Sequence, residues 1–304
     1  SLTIAEEECG ARRRAKLAGC LTPKGVRSLN APQRDAQAVS SRIQTWFSAR
    51  SPWQRRAIAV IAGAAATLGH APFQFAPIFI AAIVVLVWLL DVSATQPKRL
   101  WSGFATGWFF ALGHMTTGLY WVSSAFNVES DVWGPLWGIP ATLALAGGMA
   151  LFWGLGATTA MVLWTRDARR LAAFALCVFA SEWLRGHVFG GFPWLLPGYV
   201  WTPGEPVSQF ASIASIYGLS LLTLLIAAAP AAIADGQARP GLRFGPLIGA
   251  ALVVGMLWGW GAQRIAGAPI GQPGAQPGQR PSSRLRIHIP PEDKQQRRKL
   301  FSYI

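Results

Sequence analysis

Two ionisable residues stand at the end of a long apolar run, directly before a stretch rich in aromatic residues, glycine and proline. The segment reads SEWLRGHVFGGFPWLLPGY over residues 181–199. Glu182 and Arg185 are three positions apart, so a helix places them on one face and they can form an ion pair. A charge within a membrane span costs roughly 2.5–3.5 kcal/mol, and a position near the span end lowers that cost by snorkelling. Two interpretations remain open: a structural ion pair that fixes the helix end, and a polar site for a lipid headgroup or a partner loop.

Large aromatic residues cluster at two places along the chain. Tyr120 and Trp121 lie in GLYWV (118–122), and Phe192 and Trp194 lie in FGGFPWLLPGYVWTP (189–203). Rings at the ends of apolar runs are typical of an aromatic belt at the membrane interface. The functional alternative is a wall or portal for an acyl chain, because the second segment carries no Lys or Arg that would hold it in water.

Other chemistry is not indicated by spacing. His70, His114 and His187 are separated by whole apolar runs, and no CxxC pair occurs among Cys9, Cys20 and Cys177. No serine has the context of a nucleophile elbow. We therefore expect no metal site, no cofactor and no catalytic triad.

Composition indicates an integral membrane protein. Charged residues make up 13% of the 304-residue chain, about half the share usual in soluble domains, and hydrophobic residues make up 52%. Fifteen tryptophans fit a membrane interface. The net charge of +14 does not indicate nucleic-acid binding, because 11 of the 27 basic residues lie in residues 1–56 and most others lie between apolar runs or near residue 304.

The hydropathy pattern predicts an all-α polytopic fold of about seven transmembrane helices, since lone strands cannot satisfy their backbone in lipid. The predicted spans are 57–70, 73–90, 100–122, 136–164, 169–188, 208–234 and 244–263. Lys and Arg follow the second, fourth and sixth spans and are absent from 71–77, 123–135 and 186–207. The positive-inside rule therefore predicts a cytoplasmic N-terminus, with these three uncharged connections on the outer face.

Four domains are predicted along the chain. Residues 1–56 are a basic, disordered or loosely surface-bound cytoplasmic tail, and residues 57–264 are the helical bundle. Residues 265–283 are a Gly/Pro-rich linker, and residues 284–304 start a further domain with one alternating strand, RLRIHI. Glycine pairs at four-residue spacing predict close helix packing: Gly103/Gly107, Gly245/Gly249 and Gly255/Gly259.

Four motifs together resemble the bacterial apolipoprotein N-acyltransferases. They are GLYWV (118–122), SEWLRG (181–186), GFPWLLPGY (191–199) and QFASIASIYGLSLLTLLIAA (209–228). The resemblance covers roughly residues 55–290, and the pair EWLRG and GFPW is its most specific part.

The resemblance implies an enzyme of lipoprotein maturation. Members transfer an acyl chain from a phospholipid donor to the α-amino group of the N-terminal cysteine of a diacylglyceryl lipoprotein, on the periplasmic face of the inner membrane. The reaction passes through a thioester on a cysteine, in a Glu–Lys–Cys set held by a nitrilase-like α/β domain. That domain follows the seventh span, and an eighth span closes the chain.

The chain departs from this pattern after its linker. SSRLRIHIPPEDK resembles the entry to the nitrilase-like domain, and no counterpart of the Glu–Lys–Cys set follows. We therefore expect a truncated, frameshifted or partial copy that is inactive alone. It would be a monomer that contacts lipid or substrate through Tyr120, Trp121, Glu182, Arg185, Phe192 and Trp194. The alternative is a non-enzymatic transporter or scaffold, although no internal repeat is visible.

Overall fold

The structure is a computed structural model that describes residues 42–128, 135–188, 190–235 and 240–267. Within these ranges every regular element is helical. The α-helices are α1 (42–48), α2 (Pro52–Ala66), α3 (Ala76–Ala94), α4 (Arg99–Gly118), α5 (Val122–Val128), α6 (Gly138–Val162), α7 (Arg169–Arg185), α8 (Ala211–Ala228) and α9 (Pro240–Ala266). Short 3₁₀ helices lie at Thr67–Gly69, Pro135–Trp137, Pro197–Val200, Val207–Phe210 and Ala229–Ala234.

The first long helix begins earlier than the hydropathy pattern predicts. Ser51 caps α2 by accepting a hydrogen bond from the Gln54 N–H, and the Gln54 side chain accepts one from the Ser51 N–H. This capping box and Pro52 at the first turn fix the start of α2, five residues before the predicted start at 57. Helix α1 precedes it, so residues 42–56 are helical for most of their length, within the stretch predicted as a tail.

Helix α3 provides much of the hydrophobic core. Ile83, Leu86, Val87 and Leu90 are fully or almost fully buried there. Phe110 of α4 and Phe174 of α7 belong to the same core, and the helices α4 and α6 pack against each other along their lengths. The hydrophobic core is therefore formed by contacts between helices.

Four helical segments are long and apolar enough to cross a membrane: Ala76–Ala94, Gly138–Val162, Val207–Ala234 and Arg243–Ala266. The other three predicted spans are helical but less suited to crossing. Helix α2 has 15 residues, and α7 has 17 and carries Glu182 and three arginines. Helix α4 has 20 residues but contains His114 and three threonines. The membrane class is thus supported, while seven spans stay a prediction.

Glycines decide where helices approach closely. A Cβ at Gly107 would lie 2.6 Å from the Trp153 carbonyl oxygen of α6, and one at Gly103 would overlap Met161. The packing role predicted for this pair is confirmed. For Gly245, Gly249, Gly255 and Gly259 of α9 the prediction is wrong, since no described atom lies within 4 Å of a Cβ built at any of them.

A buried ionic cluster joins α3, α7 and the residue after the 3₁₀ helix Ala229–Ala234 at one end of the bundle. Arg170 is 1% exposed, forms an ion pair with Asp91 at 2.8 Å and pairs with Asp235 at 2.6 Å. Trp164 Nε1 donates to Asp91 at 3.1 Å. Arg170 follows the fourth predicted span and is one of the basic residues of the positive-inside pattern, yet it is buried, whereas its neighbour Arg169 is exposed. We call this end, which holds connections 95–98 and 163–168, the basic end, and the opposite end, which holds 70–75 and 190–207, the aromatic end.

Several predicted segments lie outside the described residues. They are the N-terminal tail up to residue 41, part of the connection at 129–134, the linker from 268 onward and the strand at 284–289.

Candidate functional site

The aromatic loop, residues 190–201, returns sharply from the end of α7. Gly190 and Gly191 have φ of 86° and 80°, values that favour glycine. The turn lets the Phe192 N–H donate to the Arg185 carbonyl at 3.0 Å. The loop therefore folds back over the end of the helix from which it emerges.

Arg185 connects the helix end to this loop. Its Nε and Nη2 donate to the two carboxylate oxygens of Glu182 at 2.8 and 2.6 Å, which confirms the predicted ion pair. Its remaining donors reach the Phe192 carbonyl at 2.5 Å and the Trp194 carbonyl at 2.8 Å. Trp153 Nε1 of α6 also donates to Glu182, at 2.8 Å. One guanidinium thus links a carboxylate on α7 to two backbone carbonyls of the loop.

The expectation that Glu182 and Arg185 reach toward water by snorkelling is wrong. Glu182 is 0% exposed and Arg185 is 1% exposed. The cost of burial is offset because the carboxylate accepts three hydrogen bonds and the guanidinium donates four. In this conformation neither group has surface for direct contact with a headgroup.

Three further hydrogen bonds hold the aromatic loop. His70 Nε2 donates to the Leu196 carbonyl at 3.3 Å. The Gly198 N–H donates to Ser220 Oγ at 3.0 Å, and Trp201 Nε1 donates to Thr223 Oγ1 at 2.9 Å. The loop is therefore fixed to α7, to α8 and to the segment after α2.

The predicted aromatic residues gather at this end. The rings of Phe192 and Trp194 stack at 5.4 Å between centroids, and the Trp194 ring lies 6.3 Å from that of Trp121. Trp194 is 47% exposed, and Phe192 is half-buried against Met115 and Leu119. Tyr120 is exposed beside Trp121 in the chain, and no described ring contact joins it to the group.

The sequence did not identify the two histidines behind the loop as neighbours. The rings of His70 and His114 lie 5.1 Å apart, both buried, and Thr67 Oγ1 lies 3.2 Å from His114 Nδ1. His70 ends the first predicted span, whereas His114 lies eight residues before the end of the third, so the predicted spans gave no signal of their contact. Among the described residues no group of three or more His, Cys, Asp and Glu could hold a metal ion.

A cavity of about 200 Å³ lies beside the loop, between it and α9. Trp201, Glu205 and Gln74 line one side, and Val254 and Trp258 of α9 line the other. None of the predicted site residues contributes to it.

The region that contains this site matches known proteins. Residues 62–229, more than half of the chain, match the family model of the apolipoprotein N-acyltransferase N-terminal domain. An apolipoprotein N-acyltransferase of Rhodopseudomonas palustris is 38% identical over 202 residues, which cover 66% of this chain and 37% of the relative. The Caulobacter vibrioides protein of that name is 40% identical over 215 residues, covering 69% and 38% respectively, and that of Rhizobium rhizogenes is 36% identical over 206 residues, covering 66% and 38%.

The matched region includes α3 to α8 and the whole aromatic loop, and the chain spans less than two fifths of the length of these three relatives. All four motifs on which the resemblance was based lie within it. The chain therefore belongs to the apolipoprotein N-acyltransferase family, through its N-terminal domain.

Proposed function

We propose that the described helices form the membrane domain of an apolipoprotein N-acyltransferase, which moves an acyl chain from a phospholipid to the N-terminal cysteine of diacylglyceryl lipoproteins. One observation supports this most: a loop bearing Phe192 and Trp194 is fixed by a buried polar network at the bundle end whose described connections contain no Lys or Arg. A rigid aromatic surface at a membrane interface suits a lipid substrate.

In this proposal the acyl tails of the donor pack against Trp121, Phe192 and Trp194. The rings already contact one another, so binding does not have to order them, and this saves conformational entropy. Tyr120 would widen the surface at its edge. Glu182 and Arg185 would act through the loop by fixing the carbonyls of Phe192 and Trp194.

The bundle would act as a platform rather than as the site of covalent chemistry. A thioester mechanism needs a cysteine next to a base. Among the described residues Cys177 is the one cysteine, and it lies half-buried within α7 with no hydrogen bond to a His, Lys or Glu side chain. The covalent step would then use a Glu–Lys–Cys set outside the described residues. We place the domain in the bacterial inner membrane as a monomer, with seven spans, a cytoplasmic N-terminus and the aromatic end facing the periplasm.

A chimera tests the proposal. Residues 1–267 replace the matching segment of the Caulobacter vibrioides relative, and the chimera is expressed in a strain depleted of its own N-acyltransferase. Growth should be restored, and mass spectrometry of lipoprotein N-terminal peptides should show the added acyl chain. A chimera that inserts in the membrane at normal levels without restoring acylation would contradict the proposal.

One observation bears on the alternative function of a transporter. Ser215 has φ of 58° and ψ of 175°, which breaks α8 within a candidate span. Broken helices in transporters flank polar sites near the midplane. Ser215 lies four residues from the start of α8, close to the aromatic end, so the break is in the wrong place for such a site.

A further inference from the structure

A second surface, at the basic end, is not used by the proposed function. Residues 42–56 contain four arginines and no Asp or Glu. We call Arg50, Arg55, Arg56, Trp46 and Trp53 the arginine–tryptophan patch. It lies on α1, on the first turns of α2 and on the connection between them.

The patch has a fixed position because α1 is docked on the bundle. Phe47 is buried, with its ring centroid 5.9 Å from that of Trp88 on α3, and Ile43 packs against the same core. Gln44 Nε2 donates to the Ala234 carbonyl at 3.5 Å. The side of α1 that carries Trp46 therefore stays at the outside.

Guanidinium groups and indole rings are interleaved in the patch. The Arg50 guanidinium lies 4.2 Å from the Trp46 ring centroid, and that of Arg56 lies 4.6 Å from Trp53. Trp46 is 48% exposed and Trp53 is 69% exposed. Stacking on a ring orients the planar guanidinium and leaves its edge N–H groups for another partner.

Arg50, Arg55 and Arg56 differ in charge pairing from Arg169 and Arg170 near the basic end. Arg169 pairs with Asp167, and Arg170 pairs with Asp91 and Asp235. Among the described residues no carboxylate lies within ion-pair distance of Arg50, Arg55 or Arg56. The buried Nε of Arg50 also has no hydrogen-bond partner there. The patch thus presents uncompensated positive charge.

We propose that the arginine–tryptophan patch binds the phosphate of anionic phospholipids in the leaflet at the basic end. A guanidinium can bind phosphate through two parallel hydrogen bonds. Exposed indoles favour the depth of the headgroups, which selects a lipid surface over a soluble anion. Basic segments beside spans are attracted to anionic lipid, each Arg contributing to the binding.

The test measures lipid retention by the purified chain in detergent. Native mass spectrometry compares the adducts formed with phosphatidylglycerol and with phosphatidylcholine of the same acyl chains. The triple variant Arg50→Gln, Arg55→Gln and Arg56→Gln should retain phosphatidylglycerol about a hundredfold less, since each arginine is worth about fivefold. Retention of phosphatidylcholine should not change.

A matched variant separates a site from general charge. Lys98→Gln, Arg99→Gln and Arg166→Gln remove the same charge from exposed positions at the same end and should change retention less than threefold. An equal loss in both variants would overturn the proposal, as would no loss in the first. Displacement of the lipid by an equal concentration of glycerol 3-phosphate would show a free-phosphate site instead.

A single variant tests the patch even if the triple variant fails to fold. The single variant Arg55→Gln removes a guanidinium that stacks on no described ring, so little packing is lost. It should lower phosphatidylglycerol retention about fivefold. Unchanged retention by this variant would count against the patch.

Discussion

At the residue scale, Arg185 determines where the aromatic loop lies. Its pairing with Glu182 could be predicted, because residues three apart in a helix share a face. Its bonds to the Phe192 and Trp194 carbonyls could not, since every residue carries a backbone carbonyl and none is marked in a sequence. The Trp153 donor was equally hidden, because α6 approaches α7 only after the bundle has formed.

Removing one partner of this pair should be more harmful than removing both. Arg185→Met leaves a buried carboxylate with no cation, and we expect a loss of about 3–5 kcal/mol in stability. The double variant Glu182→Leu with Arg185→Met removes both buried charges and should be more stable than Arg185→Met alone. Thermal unfolding in detergent, followed by circular dichroism, gives the ranking. A single variant as stable as the wild type would show that the network does not hold the loop.

Trp194 should matter for the donor lipid more than for folding. Its ring is 47% exposed, so Trp194→Ala removes contact area that a lipid tail would cover. In the chimeric enzyme we expect KM for the phospholipid to rise about fivefold, which corresponds to about 1 kcal/mol of lost apolar contact. Trp101→Ala is the control, because that ring is also exposed but lies at the basic end. An equal effect of both substitutions would indicate general anchoring in the membrane.

At the element scale, apolar runs located the helices well and their contacts poorly. All seven predicted spans are helical in the structure, yet α2 starts at Pro52 because a capping box, which hydropathy does not detect, sets its first turn. The glycine spacing was the same on α4 and α9, but among the described residues α4 alone has a neighbour on that side. Spacing shows that a helix can be approached closely, and the fold decides whether another helix is there.

That difference predicts opposite results for the same substitution. Gly107→Ala places a Cβ 2.6 Å from the Trp153 carbonyl oxygen and 2.7 Å from the Ala157 Cβ, so α4 and α6 must separate. We expect a loss of about 1–3 kcal/mol. Gly249→Ala meets open space and should be neutral or stabilising by up to about 1 kcal/mol. Melting temperatures of the two variants in the same detergent check this, and equal destabilisation would contradict the packing described for α4 and α6.

At the scale of the whole molecule, the candidate spans differ in how much of their surface is buried inside the bundle. The share of buried residues is 56% in the α3 span but 6% in the α9 span, so α9 presents most of its surface outward. The charged groups Arg170, Glu182 and Arg185 of α7 are paired inside the bundle. Mean hydropathy therefore underestimates α7, because these groups are buried within protein. We expect α2, α4 and α7 to cross the membrane together with the four apolar helices.

Seven crossings and four crossings differ at two connections. With seven, Ser124 faces the outside and Thr165 faces the cytoplasm, and with four the two are exchanged. Gln96 and Gly204 are reference positions, on the inside and the outside in both cases.

Each position is changed to Cys in a chain whose native cysteines are replaced by alanine, and an impermeant maleimide is added to intact spheroplasts. The exposed basic residues of the basic end favour the cytoplasmic side, so we expect Ser124→Cys and Gly204→Cys to be labelled at once, and Gln96→Cys and Thr165→Cys only after lysis. Labelling of Thr165→Cys in intact cells, with protection of Ser124→Cys, would leave only the four apolar helices as spans.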